Sequence, residues 1–195
     1  MSMLISMAAF ALASSISPGP VNIVALSSGA QFGFRASLPH VSGATVGFTV
    51  LLLMIGLGLH ELSSNWPFLT RVIQWAGVAF LLFLAYKLAV DNGTLGAGKQ
   101  VKGPSFLYGA AMQWLNPKAW LASLAGMGAY AANGADLLIW QFAGVYFVVC
   151  YGSIACWAYA GTCLRSYLQV PTRVRVFNRA MALLLAGSAV YLLVA

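Results

Sequence analysis

Apolar runs close to the roughly 20 residues that a helix needs to cross the hydrocarbon core of a bilayer recur along this chain, separated by polar or basic links. That ruler predicts six segments: Leu4–Leu26, Leu38–Leu59, Trp66–Ala89, Pro104–Met127, Asp136–Gly161 and Asn178–Ala195. Each must be helical, because an open strand in lipid leaves its backbone groups unpaired. The first 34 residues hold no Asp, Glu, Lys or Arg. Yet this opening run is interrupted by Ser15-Ile16-Ser17-Pro18-Gly19-Pro20-Val21-Asn22. In a soluble protein Pro-Gly-Pro marks a turn between elements; inside a span it needs another explanation.

Composition confirms the solvent. The chain has 195 residues, 61% hydrophobic and 7% charged, against roughly 25% charged in an average soluble domain. Its mean hydropathy is +0.86, more apolar surface than a soluble core can hide. The net charge of +7 is therefore read through membrane topology and not as a nucleic-acid signal. The links between segments one and two, three and four, and five and six carry Arg35, then Lys87, Lys99 and Lys102, then Arg165, Arg173, Arg175 and Arg179. The opposite side has only Arg71, and Lys118 lies within a span. The bias predicts that the three basic links are cytoplasmic and both termini outside. The N-terminus has no basic start and its apolar run continues past Pro20, so it reads as mature sequence and not as a signal peptide.

The chain also divides in two. Residues 1–90 form a first three-span half, 91–103 a basic Gly-rich loop, and 104–195 a second half, all one membrane domain. Ala76–Leu82 (AGVAFLL) in the third span matches Ala186–Leu192 (AGSAVYL) in the sixth. The first and fourth spans each carry a proline break about 13 residues after their start. Three spans is an odd number, so the second half sits inverted. Inverted repeats with interrupted helices at matching positions point to a transporter site near the midplane. The expected fold is all-α: a polytopic integral membrane protein of six transmembrane helices in two inverted three-helix repeats.

Proline removes a backbone donor and clashes with the preceding turn. Pro18 and Pro20, with Gly19 between them, free several carbonyls and amides, and Ser15, Ser17 and Asn22 stand ready to serve some of them. Half-helix N-termini favour an anionic group and freed carbonyls a cationic one; an amino acid offers both. In the fourth span, Lys118 sits near the middle of a stretch otherwise uncharged from Gly103 to Ala135. A central lysine costs about 2.5–3.5 kcal/mol on insertion scales. At ~14 residues from Pro104 and ~9 from Met127 it is too deep for easy snorkelling at about 1.5 Å per residue. Asn116, next to Pro117, and Gln113, one turn before it, can face the same cavity.

Other residues have blander readings. Gly43 and Gly47 form G-x-x-x-G, which permits close helix packing. Trp114 and Trp120 flank Lys118 and are expected in packing, with cation–π contact as the alternative. His40 and His60 fall near span ends, where interface or loop positions are expected. Asp136 is expected to cap the fifth span. Cys150, Cys156 and Cys163 contain no Cys-x-x-Cys pair and read as small apolar residues of a buried helix. No metal site or cofactor is expected. No Walker motif, H-E-x-x-H, G-x-S-x-G or nucleophile–base pair occurs, which argues against ATP drive and against an enzyme.

Two stretches, SPGPVNIVALSSGAQFGFRASLPHVSGATVGF and GAAMQWLNPKAWL, together with WAGVAFLLFLAYKLA before the central loop, resemble the lysine exporter / homoserine–threonine exporter (LysE/RhtB) family along essentially the whole chain. PGPVNIVALSSGAQFGFR and AMQWLNPK are most similar to its cysteine/O-acetylserine exporter branch. The resemblance implies a bacterial inner-membrane protein that exports amino acids or close metabolites and is driven by the proton motive force. It maps the family motifs onto Pro18-Gly19-Pro20 and Asn116-Pro117-Lys118. Two positions depart: Val21 stands where many relatives carry Asp or Asn, and Phe48 follows Gly47 where many carry Asp. The expected substrate is a small neutral amino acid such as cysteine or O-acetylserine, with homoserine or threonine as neighbours in chemistry. Lys118 would hold its carboxylate. The carbonyls around Ser17–Gly19, with Asn22, Gln113 and Asn116, would hold its ammonium. With no intramembrane carboxylate evident, Lys118 is also the candidate for exchanging a proton with substrate. The expected partners are the substrate, protons and the bilayer, without nucleic acid; a homo-oligomer is compatible. The alternative is a passive channel or a metal-cation efflux protein, the latter disfavoured because metal efflux needs converging His, Asp, Glu or Cys ligands.

Overall fold

A computed structural model describes residues 3–59, 104–131, 136–164 and 170–194, with isolated positions between 75 and 90. These residues form α1 (Met3–Ile16), α2 (Pro20–Phe32), α3 (Phe34–Met54) with a π-helical turn at Ile55–Leu59, α4 (Phe106–Trp114), α5 (Pro117–Tyr130), α6 (Asp136–Leu164) and α7 (Pro171–Val194). No strand occurs among them. Two helices, Phe34–Gly58 and Asp136–Leu164, are long and apolar enough to cross a membrane, and the bent pair α1–α2 makes a third if counted as one span. Most of the expected third span, the 91–103 loop, Glu61, His60, Arg71 and Arg165 lie outside the described residues.

The prolines explain where the breaks fall. Pro20 opens α2 and Pro117 opens α5, at the first helical position, where a missing N–H costs nothing. The chain bends by 63° between α1 and α2. Gly19 is extended, φ −170° and ψ 172°, a conformation open to any residue, so the two prolines and not the glycine enforce the break.

Three boundaries differ from the hydropathy reading. The first apolar element runs on to Phe32, and α3 starts at Phe34, so the expected link collapses to Gly33. Gly33 has φ 87°, a region that side-chain-bearing residues rarely enter. A serine staple fixes this corner: the Ser37 hydroxyl lies 2.9 Å from the Gly33 carbonyl and 2.7 Å from the Ser28 hydroxyl. Arg35 accordingly sits in the first turn of α3 and is exposed. The last helix starts at Pro171, so Arg173, Arg175 and Arg179 are helical and exposed, not in a link.

The core is formed by α3 and α6 packed on each other, with α1 and α2 lying along α6 and α4 along α3. Its centre includes Met7, Val41, Leu51, Leu52, Met112, Phe142 and Ile154, each fully or nearly fully buried. Small residues set the helix separation. A Cβ on Gly43 would run into the backbone of Phe106, and one on Gly47 would lie 2.7 Å from the Cα of Ala110. From the other side, a Cβ on Gly109 would meet the His40 carbonyl. Gly29 faces the Ala158 carbonyl and Gly161 faces that of Leu26, which brings α2 equally close to α6. The outside is apolar as well: Leu107, Leu137, Val148 and Leu183 are among the most exposed side chains, as expected where lipid is the solvent.

Candidate functional site

A broken helix leaves carbonyls without intrahelical partners, and in a membrane each must find one. Those at the first break are matched by side chains distant in sequence. Asn22 Nδ2 donates to the Ser15 and Ser17 carbonyls at 2.8 and 2.9 Å. Trp157 Nε1, from α6, donates to the Ile16 carbonyl at 3.0 Å. Lys118 Nζ, from the start of α5, donates to the Ser17 carbonyl at 2.8 Å, the Ser17 hydroxyl at 2.7 Å and the Pro18 carbonyl at 3.3 Å. The ammonium thus bridges the two breaks.

The second break is arranged similarly. Asn116 is the N-cap of α5: its Oδ1 accepts from the Lys118 amide at 3.2 Å, and its Nδ2 donates to Gln113 Oε1 at 3.2 Å. Trp120 Nε1 donates to the Trp114 carbonyl at 2.8 Å, and Trp114 Nε1 to the Gly47 carbonyl at 3.1 Å. Both indoles therefore serve backbone carbonyls. The first turn of α2, by contrast, has no side-chain cap. Its amides retain the partial positive charge of a helix N-terminus.

Between the breaks lies a small pocket of about 40 Å³, part of it continuous with the outside. Of the residues singled out from sequence, Gly19, Asn22, Gln113, Asn116 and Lys118 line it. Ser17 and Pro18 border it through Lys118. Pro20 and Pro117 are buried at the helix starts that shape it. Gly43 and Gly47 lie on the α3–α4 contact instead.

The lining also includes Ser15, expected to serve the freed backbone groups, Cys150, expected only as a small apolar residue, and residues that the sequence reading did not single out, among them Ser14, Tyr146 and Ile154. Tyr146, Cys150 and Ile154 recur every fourth residue on one face of α6, a spacing that is a usable signal once the helix is known. Tyr146 shares a 2.6 Å hydrogen bond with the Ser14 hydroxyl and stacks on Phe48, with ring centroids 4.3 Å apart. Phe48 and Val21, the two departures from the family pattern, both line the pocket, so an apolar wall stands at each position. None of the described lining residues is Asp or Glu.

Two expectations are overturned. His40 is not at an interface: it is fully buried, with Nε2 3.3 Å from the Val21 carbonyl and its ring 6.2 Å from that of Tyr108. The cause is the early start of α3, which carries His40 two turns into the bundle. Of the cysteines, only Cys150 is buried, while Cys156 and Cys163 are exposed. Hydropathy does not distinguish a lipid-facing position from a core one. Asp136 opens α6, with its carboxylate in the first turn, where the helix dipole favours it. Among the described residues no group of three or more His, Cys, Asp or Glu side chains is placed to hold a metal ion.

Known proteins resemble this chain along nearly its full length. The cysteine/O-acetylserine efflux proteins of Escherichia coli (strain K12) and Shigella flexneri are each 30% identical over 183 residues, covering 93% of this chain and 92% of theirs. No solved structure matches. The model of the LysE type translocator family matches residues 12–195. With both breaks and the pocket between them inside that match, the chain belongs to the LysE type translocator family.

Proposed function

We propose that this protein is a secondary-active exporter of a small neutral amino acid or close metabolite, of the cysteine or O-acetylserine kind, in the bacterial inner membrane and driven by the proton motive force. The observation that carries the reading is the Lys118 ammonium, held at the junction of two broken helices in a pocket with no acid among its described residues. A cation and the uncapped start of α2 favour a carboxylate. The carbonyls of Ser17 and Pro18 favour an ammonium, with Asn22, Gln113 and Asn116 completing a polar wall. The aromatic pair Phe48 and Tyr146 limits the side chain to a small one. The efflux function of the relatives from Escherichia coli and Shigella flexneri supports the direction of transport.

The architecture of this reading is six spans in two inverted halves, 1–90 and 104–195, joined by a cytoplasmic 91–103 loop, with the basic links inside and both termini outside. Supporting it, the broken spans pack crosswise: α1 and α2 against α6 of the other half, and α4 against α3 of the first. The proton-exchanging group is Lys118, the one cation among the described residues of the pocket lining. The test is uptake into inverted vesicles, each neutral amino acid offered in turn, with and without a pH gradient. Saturable uptake of one of them that collapses with the gradient is expected. Uptake indifferent to the gradient, or linear in concentration, refutes the coupled exporter and favours a channel.

A further inference from the structure

The Lys118 ammonium has three N–H donors, and all three face acceptors: the Ser17 carbonyl at 2.8 Å, the Ser17 hydroxyl at 2.7 Å and the Pro18 carbonyl at 3.3 Å. These acceptors are the ones that the first break offers to a substrate ammonium. An α-ammonium is the same chemical group as a lysine ammonium: a positively charged nitrogen with three N–H donors, bonded to a tetrahedral carbon. The cradle is built from neutral oxygens, and no Asp or Glu is among the described residues that line the pocket. Among the described residues, Tyr146 and Cys150 are the other ionisable side chains lining it. Two ammonium groups therefore cannot share the cradle: the acceptors are too few, and no described residue of the lining offsets the second charge.

We infer that Lys118 is a built-in occupant of the ammonium subsite, and that substrate binds by exchanging its own ammonium for that of Lys118. This rests on the reading of the pocket as an amino-acid site. The exchange conserves the cradle's three hydrogen bonds and leaves the Lys118 ammonium free. The substrate carboxylate is then the anionic partner within its reach, next to the first turn of α2. Gly19 lies directly beside this exchange: a Cβ there would stand in ordinary van der Waals contact with Lys118, 3.5 Å from Nζ and 3.6 Å from Cδ. The device explains selectivity without a fixed acid. An amine alone displaces Lys118 but gives it no new partner. A carboxylate alone finds Lys118 already engaged. A zwitterion does both.

The test separates the two halves of the ligand, using the full-length protein in lipid nanodiscs. Acetate and propylammonium serve as probes, with binding followed by calorimetry. Apparent affinity scales with the fraction of competent molecules, so if Lys118 fills the cradle in nine molecules of ten, propylammonium should tighten acetate binding about tenfold in the wild type. In Lys118→Met the cradle has no occupant. Propylammonium should then bind about tenfold more tightly than to wild type, and acetate should no longer respond to it. Acetate binding to wild type that ignores propylammonium overturns the exchange, and this arm needs no variant. A Lys118→Met protein that elutes as a folded species but binds propylammonium no better than wild type overturns it too. Either result alongside intact binding of neutral amino acids leaves the functional reading standing. Failure of every neutral amino acid to bind wild type removes that reading and the exchange together.

Discussion

Asn22 is the hinge on which the first break turns. Its amide donates to the Ser15 and Ser17 carbonyls at 2.8 and 2.9 Å, and the residue is 5% exposed. Replacing it with Ala removes both bonds. Lys118 continues to serve Ser17, so the Ser15 carbonyl bears most of the loss. Hydrogen bonds in membrane bundles average about 0.6 kcal/mol by double-mutant cycles, and a buried group left unpaired costs about 1–3 kcal/mol. Asn22→Ala should therefore cost about 1–3 kcal/mol, or about 2–12 °C of melting temperature in a chain of this size. Asn22→Asp is the discriminating variant. It keeps an acceptor for a substrate ammonium but has no donor for the two carbonyls when ionised. If Asn22 acts by shaping the corner, Asp should be at least as damaging as Ala in both thermal unfolding of the purified protein and transport. An Asn22→Asp protein with wild-type stability would refute the argument that these two hydrogen bonds hold the break.

Gly43→Ala should destabilise by about 1–3 kcal/mol through overpacking, because the added Cβ meets the Phe106 backbone, whereas Gly128→Ala, with nothing within 4 Å, should be silent; the yield of monodisperse protein after size-exclusion chromatography reads both. Phe48→Ala should cost about 3–5 kcal/mol by removing a ring that stacks 4.3 Å from Tyr146. It should also shift transport toward bulkier amino acids, which competition against the preferred substrate measures; an unchanged ranking contradicts the wall assigned to Phe48.

The breaks were legible in the sequence because proline acts locally: a missing N–H and a fixed φ mark the first helical position wherever they occur. Lys118 was legible because a charge deep in an apolar span has few structural excuses. The partners of the break were not. Trp157 reaches Ile16 and Tyr146 reaches Ser14 from α6, contacts more than 130 residues apart that no local pattern encodes. Helix starts were misplaced for a related reason. Hydropathy registers lipid, so it delayed α3 past Arg35 and α7 past Arg175, while both helices begin before these arginines. It likewise could not separate Cys150 in the pocket from Cys156 and Cys163 on the outside, since lipid tails are as apolar as a protein core.

The central claim is that Lys118 and the two broken helices form one amino-acid site. Equilibrium binding of cysteine, O-acetylserine and the other neutral amino acids to purified wild type and Lys118→Ala, with helicity and oligomeric profile matched, tests it most directly. The account predicts saturable binding of at least one of them to wild type, weakened by up to about 10-fold in the variant, since a charge-assisted hydrogen bond contributes about 1.5–3 kcal/mol and the emptied cradle returns about 1.4 kcal/mol of it. Equal affinity in the two proteins would contradict it.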